Sequence, residues 1–184
     1  MKKLIFTSLF MCLATMVVAQ KYTTKTGIAS FYSHAPLEDI EAKNVKCGTQ
    51  FITSSNDIRV VIPIKGFIFD KSLMQAHFNE NYLESDKFPF ALFNGRITDS
   101  TQYNIATPGE YSVTAQGSLL IHGVKMEREI PCKFTVAAEG KSINVDCEFM
   151  VVLKDHDIKI PSAVGKNLAE EIKVSYHATL DRVQ

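Results

Sequence analysis

The chain has 184 residues, with 20 basic and 20 acidic side chains, so its formal net charge is zero. This length suits one domain that can bury a substantial core, and no basic stripe is present to attract nucleic acid. The sequence contains no repeat and no low-complexity segment. We therefore expect a single domain and exclude nucleic acid as a partner.

Residues 1–19 have the order of a secretory signal peptide: a basic start, an apolar centre and small residues before the cleavage point. A competing lipoprotein signal would place cleavage before Cys12, but Met11 is bulky there and the apolar core would be short. We predict cleavage after Ala19, with the domain at 20–184. No second long apolar run follows, so we expect a periplasmic or secreted protein without stable membrane insertion.

Alternating apolar and polar residues predict strands at 27–32, 57–64 and 91–98 in the first half of the chain. After the second of these strands, Phe67 and Phe69 fall on the parity opposite to the strand's apolar residues. A bulge at Gly66 would reconcile the two sets.

A short helix is predicted between the second and third of these strands. Its apolar residues recur at four-residue spacing, at Met74, Phe78 and Tyr82. Two residues can cap its start, Asp70 or Ser72. Pro89 ends the helical segment and sets an extended backbone for the next strand. We expect the apolar stripe to plug one end of the fold, with the acidic side chains facing solvent: Glu80, Glu84 and Asp86.

The second half of the chain repeats the period-two pattern at 111–121, 127–136, 143–153 and 172–180. His122 and Gly123 are predicted to make a hairpin turn between the first two of these strands, with Gly supplying a positive φ. Residues 161–172 have the composition of a further helical turn.

These patterns predict an all-β fold, a single antiparallel β-barrel of about eight strands with one or two short helices. Full closure is favoured because it removes exposed sheet edges, and a two-sheet sandwich is the alternative. The interior of such a barrel is either filled by side chains or just wide enough for a small ligand. Large and small residues alternate on the inward faces, which leaves both possibilities open.

Two segments resemble the YceI-like family of exported bacterial proteins: "NYLESDKFPFALFNGRI" and "GEYSVTAQGSLLIHGVKMEREIP". The positions that match the family pattern are Pro89, Phe93, Gly95, Gly117, Leu119, His122, Gly123 and Val124. The resemblance implies a lipocalin-like barrel with an elongated apolar tunnel for polyisoprenoids or other long-chain lipids.

The resemblance therefore implies an exported, non-enzymatic protein that holds a long apolar lipid for transport, storage or sequestration. A filled barrel that acts as a structural or protein-interaction module is the alternative, and a homodimer stays open. The residues expected to line the ligand are Phe67, Phe69, Phe78, Phe93, Val113, Ala115, Gly117, Leu119, Ile121, Phe134, Val145, Phe149, Val151 and Tyr176.

Metal and catalytic sites have little support in the sequence. His77 and Glu80 lie three residues apart on the predicted helix, but no second such pair and no H-E-x-x-H motif occurs. The segment at 155–157, Asp-His-Asp, is better explained as a solvated turn. No G-x-S-x-G motif indicates a nucleophile. We expect no catalytic residue, no metal and no cofactor.

Cys132 and Cys147 are predicted to be neighbours. If the two strands that carry them pair with Val136 opposite Ile143, the two cysteines face each other on the inward side. Directly opposed residues have Cβ atoms about 4.5–5.5 Å apart, which is near the range that a disulfide requires. Export to an oxidising compartment permits the bond. We predict adjacent thiols that can form a disulfide.

Overall fold

A computed structural model of the protein describes residues 20–34, 39–98, 103–159 and 170–183. The predicted leader at 1–19 lies outside these residues. So does most of the segment predicted to hold a second helical turn, at 160–169.

The described residues form eight strands: β1 Lys21–Ser33, β2 Ile40–Ile52, β3 Asp57–Pro63, β4 Phe90–Ile97, β5 Gly109–Ile121, β6 Val124–Val136, β7 Ser142–Val152 and β8 Glu171–Val183. Each strand pairs antiparallel with the next, and β8 pairs back onto β1, so the sheet is a closed barrel. The predicted barrel is confirmed, and the sandwich alternative is wrong. One face of each strand points inward, which explains the period-two pattern of the sequence.

β2 is a strand that the sequence patterns missed. Its buried face changes parity between Asn44 and Cys47, where the pairing with β1 shifts register at a bulge. Two polar residues, Asn44 and Thr49, are among its buried side chains. A broken period and polar inward residues together hide the alternation that identified the other strands.

The segment after β3 corrects a second expectation. β3 ends at Pro63, and a 3₁₀ turn at Ile64–Gly66 replaces the predicted bulge. This turn brings Phe67 and Phe69 to the inward side, where both are buried. A Cβ on the glycine of the turn would lie 2.6 Å from the side-chain nitrogen of Asn44, so only glycine leaves room for that buried amide.

The predicted helix is present as α1, Ser72–His77, and continues as a π-helical turn at Phe78–Tyr82. It begins after Lys71 without a side-chain cap, so the predicted caps are wrong: Asp70 and Ser72. Its apolar stripe packs against the two core clusters as expected. Among the described residues, no helix is long and apolar enough to cross a membrane.

The predicted turn between β5 and β6 is confirmed. His122 has φ 51° and Gly123 has φ 78°, the positive values that a two-residue type I′ hairpin turn needs at both central positions. A positive φ was predicted at Gly123, and His122 adopts one as well. The histidine side chain is thereby directed toward the end of the barrel that carries α1.

Candidate ligand-binding cavity

An apolar cavity of about 60 Å³ lies in the middle of the barrel. Residues from β3 to β8 line it, and no described side chain of the lining is acidic or basic. The lining residues predicted from sequence are Phe93, Ala115, Leu119, Val145, Phe149 and Tyr176. Six of the predicted residues therefore lie on the cavity wall, and their contact with a ligand stays a prediction.

The sequence-based set missed the remaining lining residues, which are Ile58, Val60, Ile62, Ala91, Leu92, Ile130, Cys132, Cys147 and Val174. Most of them carried a usable signal. Ile130 and Cys132, for example, share the parity of the predicted residue Phe134. Leu92 lies on the opposite parity from its neighbours in β4, so alternation gives no way to find it.

Three predicted residues close the end of the barrel that carries α1. Phe67, Phe69 and Phe78 form an aromatic cluster with Phe31, which is not among the predicted lining residues. Ring centroids within the cluster lie from 5.0 Å, between Phe69 and Phe78, to 5.8 Å, between Phe31 and Phe69. These edge and tilted contacts are favourable, so the cluster is a stable plug above the cavity.

A second aromatic cluster fills the opposite end. Phe134 contacts Phe51 at 5.5 Å and Tyr103 at 5.7 Å between ring centroids. The predicted residues Val113 and Val151 are buried in the core outside the cavity lining. The cavity therefore lies between two aromatic layers.

The last two predicted lining residues have other surroundings. Ile121 packs against a small cluster beneath α1 that includes Leu83 and Leu153. A Cβ on Gly117 would lie 2.3 Å from the backbone oxygen of Asn94 and from the Cα of Gly95. Gly117 therefore permits close packing of β5 on β4, and it is not among the residues that line the cavity.

Tyr176 contributes an aromatic ring to the cavity and a hydroxyl group to the wall. The hydroxyl is hydrogen-bonded to Thr49 in β2, in space left free by the missing side chain of Gly27. Burial raises the pKa of Tyr176, so the phenol stays neutral. The cavity thus offers apolar surface and no charge.

Cys132 and Cys147 are directly opposite, and the predicted register of Val136 with Ile143 is confirmed. Both cysteines are free thiols in the structure. The adjacent Cys132 thiol and burial raise the pKa of Cys147, and burial raises the pKa of Cys47 to about 11. Neutral thiols are weak nucleophiles, which is unlike a catalytic cysteine. The disulfide stays a prediction.

The candidate metal residues His77 and Glu80 have other surroundings. His77 Nδ1 lies 2.8 Å from the side-chain nitrogen of Asn81, and Glu80 is exposed. Within the described ranges, no group of three histidine, cysteine, aspartate or glutamate side chains could hold a metal ion.

A polar network that the sequence did not reveal joins three segments above the cavity. His122 Nε2 lies 2.8 Å from Glu84 Oε2, and His122 Nδ1 lies 3.0 Å from the carbonyl oxygen of His156. His156 itself is 1% exposed, and its Nδ1 lies 3.3 Å from the carbonyl oxygen of Val124. The 155–157 segment is therefore not simply a solvated turn, because its histidine is buried and hydrogen-bonded. Nothing in the sequence pairs these distant residues.

Together, the fold and the cavity define a class of protein: a small closed antiparallel barrel with an apolar interior. The profile of the YceI-like domain matches residues 18–180, and the chain belongs to the YceI-like family. No curated protein matches the sequence.

Solved structures share this fold at low sequence identity. A polyisoprenoid binding domain from Saccharophagus degradans has a TM-score of 0.77 at 10% identity, covering 90% of this chain and 100% of that one. BcnA from Burkholderia cenocepacia has a TM-score of 0.61 at 16% identity, covering 84% and 95%. A YceI protein from Campylobacter jejuni has a TM-score of 0.58 at 14% identity, covering 100% of both chains.

Proposed function

We propose that this is an exported, non-enzymatic binding protein that holds a long apolar lipid, a polyisoprenoid or similar, inside the barrel for transport, storage or sequestration. The observation that carries the proposal is the wholly apolar cavity enclosed by β3 to β8. Membership of the YceI-like family and the shared fold of the Saccharophagus polyisoprenoid binding domain support a binding role.

The energetics favour an uncharged chain as ligand. Burial of apolar surface contributes roughly 25 cal/mol per Å² to the binding free energy. An apolar wall can therefore hold a hydrocarbon chain without a charged group in the interior. Pockets for small molecules commonly measure about 300–1,000 Å³, well above the volume enclosed here. A long lipid therefore requires the rings that project into the cavity to move aside, and Phe93 and Phe149 are the lining phenylalanines that would do so.

The small volume also favours the second candidate, a filled barrel that acts as a structural or protein-interaction module. Aromatic clusters occupy the barrel on both sides of the cavity. If the rings hold their positions, no long chain enters, and the small residues of the interior serve only to seat their neighbours.

Analysis of the purified protein separates the two candidates. We expect native mass spectrometry to show a bound molecule that organic solvent removes, with a hydrocarbon chain identifiable in the extract. A protein that binds no apolar molecule, either on purification or after incubation with polyisoprenoids, would support the filled barrel. The mass of the exported chain also tests the leader, since cleavage after Ala19 removes residues 1–19.

Ala115→Trp tests the position of the cavity. Ala115 lines the cavity and is 2% exposed, so an indole there should fill the space and reduce the affinity for all-trans-retinol, a fluorescent isoprenoid, by at least about tenfold. The matched control is Gln116→Trp, because Gln116 is the next residue of β5 and faces outward.

Both variants should retain the far-ultraviolet circular dichroism of a folded barrel. Equal retinol affinity in the two variants would remove the cavity between β3 and β8 from consideration as the binding site.

A further inference from the structure

The barrel wall is incompletely paired between β6 and β7. The ladder runs from Val136 opposite Ile143 to Cys132 opposite Cys147 and ends there. Beyond that point, within the described part of the chain, residues 124–131 pair only with β5 and residues 148–152 pair only with β8. We call the gap between residues 124–131 and 148–152 the β6–β7 seam.

Pro131 is the first residue of β6 beyond the last paired position. Proline has no N–H to donate to a ladder, and in sheets it is found at edges and bulges. Pro131 therefore explains in part why the β6–β7 ladder ends at Cys132. Its two strand edges present backbone groups that no described strand satisfies across the gap.

The seam borders the cavity. Ile130 and Cys132 on one side and Cys147 and Phe149 on the other all line it. Cys147 and Phe149 are only half-buried, although the residues before and after them on the same face of β7, Val145 and Val151, are buried. Two lining side chains beside the seam are thus partly exposed, which makes the seam the candidate entrance to the cavity.

Arg128 lies in the seam with its charge unpaired by any described carboxylate. It shares the inward parity of Ile130 and Cys132, while the neighbouring residues Glu127 and Glu129 are exposed on the outer face. Its guanidinium donates a hydrogen bond across the seam to the backbone carbonyl of Met150. A guanidinium carries five N–H donors, so the single neutral acceptor leaves most of them available.

The hydrogen bond to Met150 is exposed, so the guanidinium lies at the outer opening of the seam, where an anion can reach its remaining donors. We propose that the β6–β7 seam is the polar mouth of the cavity, and that Arg128 binds there the anionic head group of the apolar lipid. The proposal rests on the proposed function. The hydrocarbon chain lies in the cavity, and the carboxylate or phosphate remains at the seam, where the planar guanidinium fork can bind two of its oxygens.

Matched probes test the anchor at neutral pH. All-trans-retinol and all-trans-retinoate have the same isoprenoid chain and differ in the charge of the head group. We expect the protein to bind retinoate roughly tenfold more tightly than retinol, the effect of one charge-assisted hydrogen bond. Retinol binding is followed by fluorescence, and retinoate affinity by displacement of retinol. Retinyl phosphate in the same assay shows whether a phosphate or a carboxylate is preferred.

The variants separate the charge from the fold. Arg128→Gln keeps a donor for the Met150 carbonyl and should equalise the two affinities, whereas Arg128→Lys keeps the charge and should retain part of the preference. The control is Arg96→Gln, because Arg96 binds Asp57 at 3.1 Å across the fully paired β3–β4 ladder. It should retain the full preference.

The outcomes distinguish the anchor from the function beneath it. The role of Arg128 is contradicted if retinol binds saturably but retinoate binds no more tightly. It is also contradicted if the preference for retinoate survives in Arg128→Gln. Neither result contradicts the proposed lipid-binding function. A preference lost equally in Arg96→Gln contradicts the role of Arg128 as well, since the effect is then one of surface charge. If the wild-type protein binds neither probe, both the proposed lipid-binding function and the proposed role of Arg128 are contradicted.

Discussion

His156 illustrates how a single residue couples the stability of this barrel to pH. Burial lowers the pKa of His156 from its ordinary value of 6.5, and the nearby charge of Arg128 lowers it further, while hydrogen bonds to Val124 and Ile121 act in the opposite direction. The neutral imidazole thus donates Nδ1–H to the Val124 carbonyl and joins the β7–β8 connection to the start of β6.

The unfolded chain binds a proton at this histidine near pH 6.5, whereas the folded protein does so only at lower pH. Between those two values the unfolded state holds more protons, so the free energy of unfolding decreases as the pH falls below 6.5. We expect urea unfolding at decreasing pH to show this loss in the wild type. In His156→Gln, which keeps a donor for the carbonyl, the loss should be smaller.

The control substitution is His77→Gln, at an exposed histidine of α1 whose described partner is Asn81. His156 is intact in this variant, so the loss of stability below pH 6.5 should persist. Identical pH profiles in the wild type and His156→Gln would contradict the assignment.

At the scale of elements, close packing of β4 on β5 depends on two glycines that face each other. Gly95 and Gly117 are paired in register, and a Cβ on either would enter the space of the other strand or of the Phe93 ring. The absence of side chains at this position lets the Phe93 ring fold over β4 at the cavity wall. Gly117 was predicted to contact ligand, and the structure gives it a packing role.

Gly117→Ala should lower the free energy of unfolding by about 1–3 kcal/mol, because the methyl group overlaps the backbone of β4. Gly48→Ala is the matched control: its added Cβ would meet only the Thr24 carbonyl, at 3.8 Å, and the change should stay within about 1 kcal/mol. Urea unfolding of both variants measures the difference. Similar stabilities for the two would show that β4 can shift to accommodate the methyl group.

Sequence patterns located elements where one periodicity holds from end to end. β5, β6 and β7 each keep one inward parity along the strand, and their predicted bounds lie within a few residues of the observed ones. β2 was missed because its bulge reverses the parity midway. The turn at Ile64–Gly66 was mistaken for a bulge, since both reverse the parity of the residues that follow.

For the molecule as a whole, the barrel closes in chain order, but neighbouring strands differ in how many of their residues are paired. β3 pairs with β4 along its whole length, whereas β2 pairs with β3 only at 48–52, and β6 and β7 pair only at 132–136 and 143–147. Closure gives every strand a partner on both sides, and the unpaired part of the β6–β7 seam is a free edge beside the cavity. Access to the interior is therefore a property of the assembled wall.

Amide hydrogen exchange tests this unevenness. Amides at 124–130 and 148–152 should on average exchange faster than those at 132–136 and 143–147, because those that face the seam lack a cross-strand acceptor. Measurement residue by residue by nuclear magnetic resonance compares segments of the same two strands, so strand type is its own control. Uniform protection along both strands would mean that the seam is paired in solution.

The sequence by itself determined which side chains of most strands face inward, where a helix interrupts them and where the β5–β6 hairpin turns. These properties follow from backbone periodicity and turn geometry, which are local. Only the tertiary structure decided that Glu84 meets His122, where the cavity begins and ends, and that Arg128 crosses a gap in the wall. Such features depend on which distant residues the closed barrel brings into contact. The sequence of one strand does not specify which residues lie opposite it in the sheet.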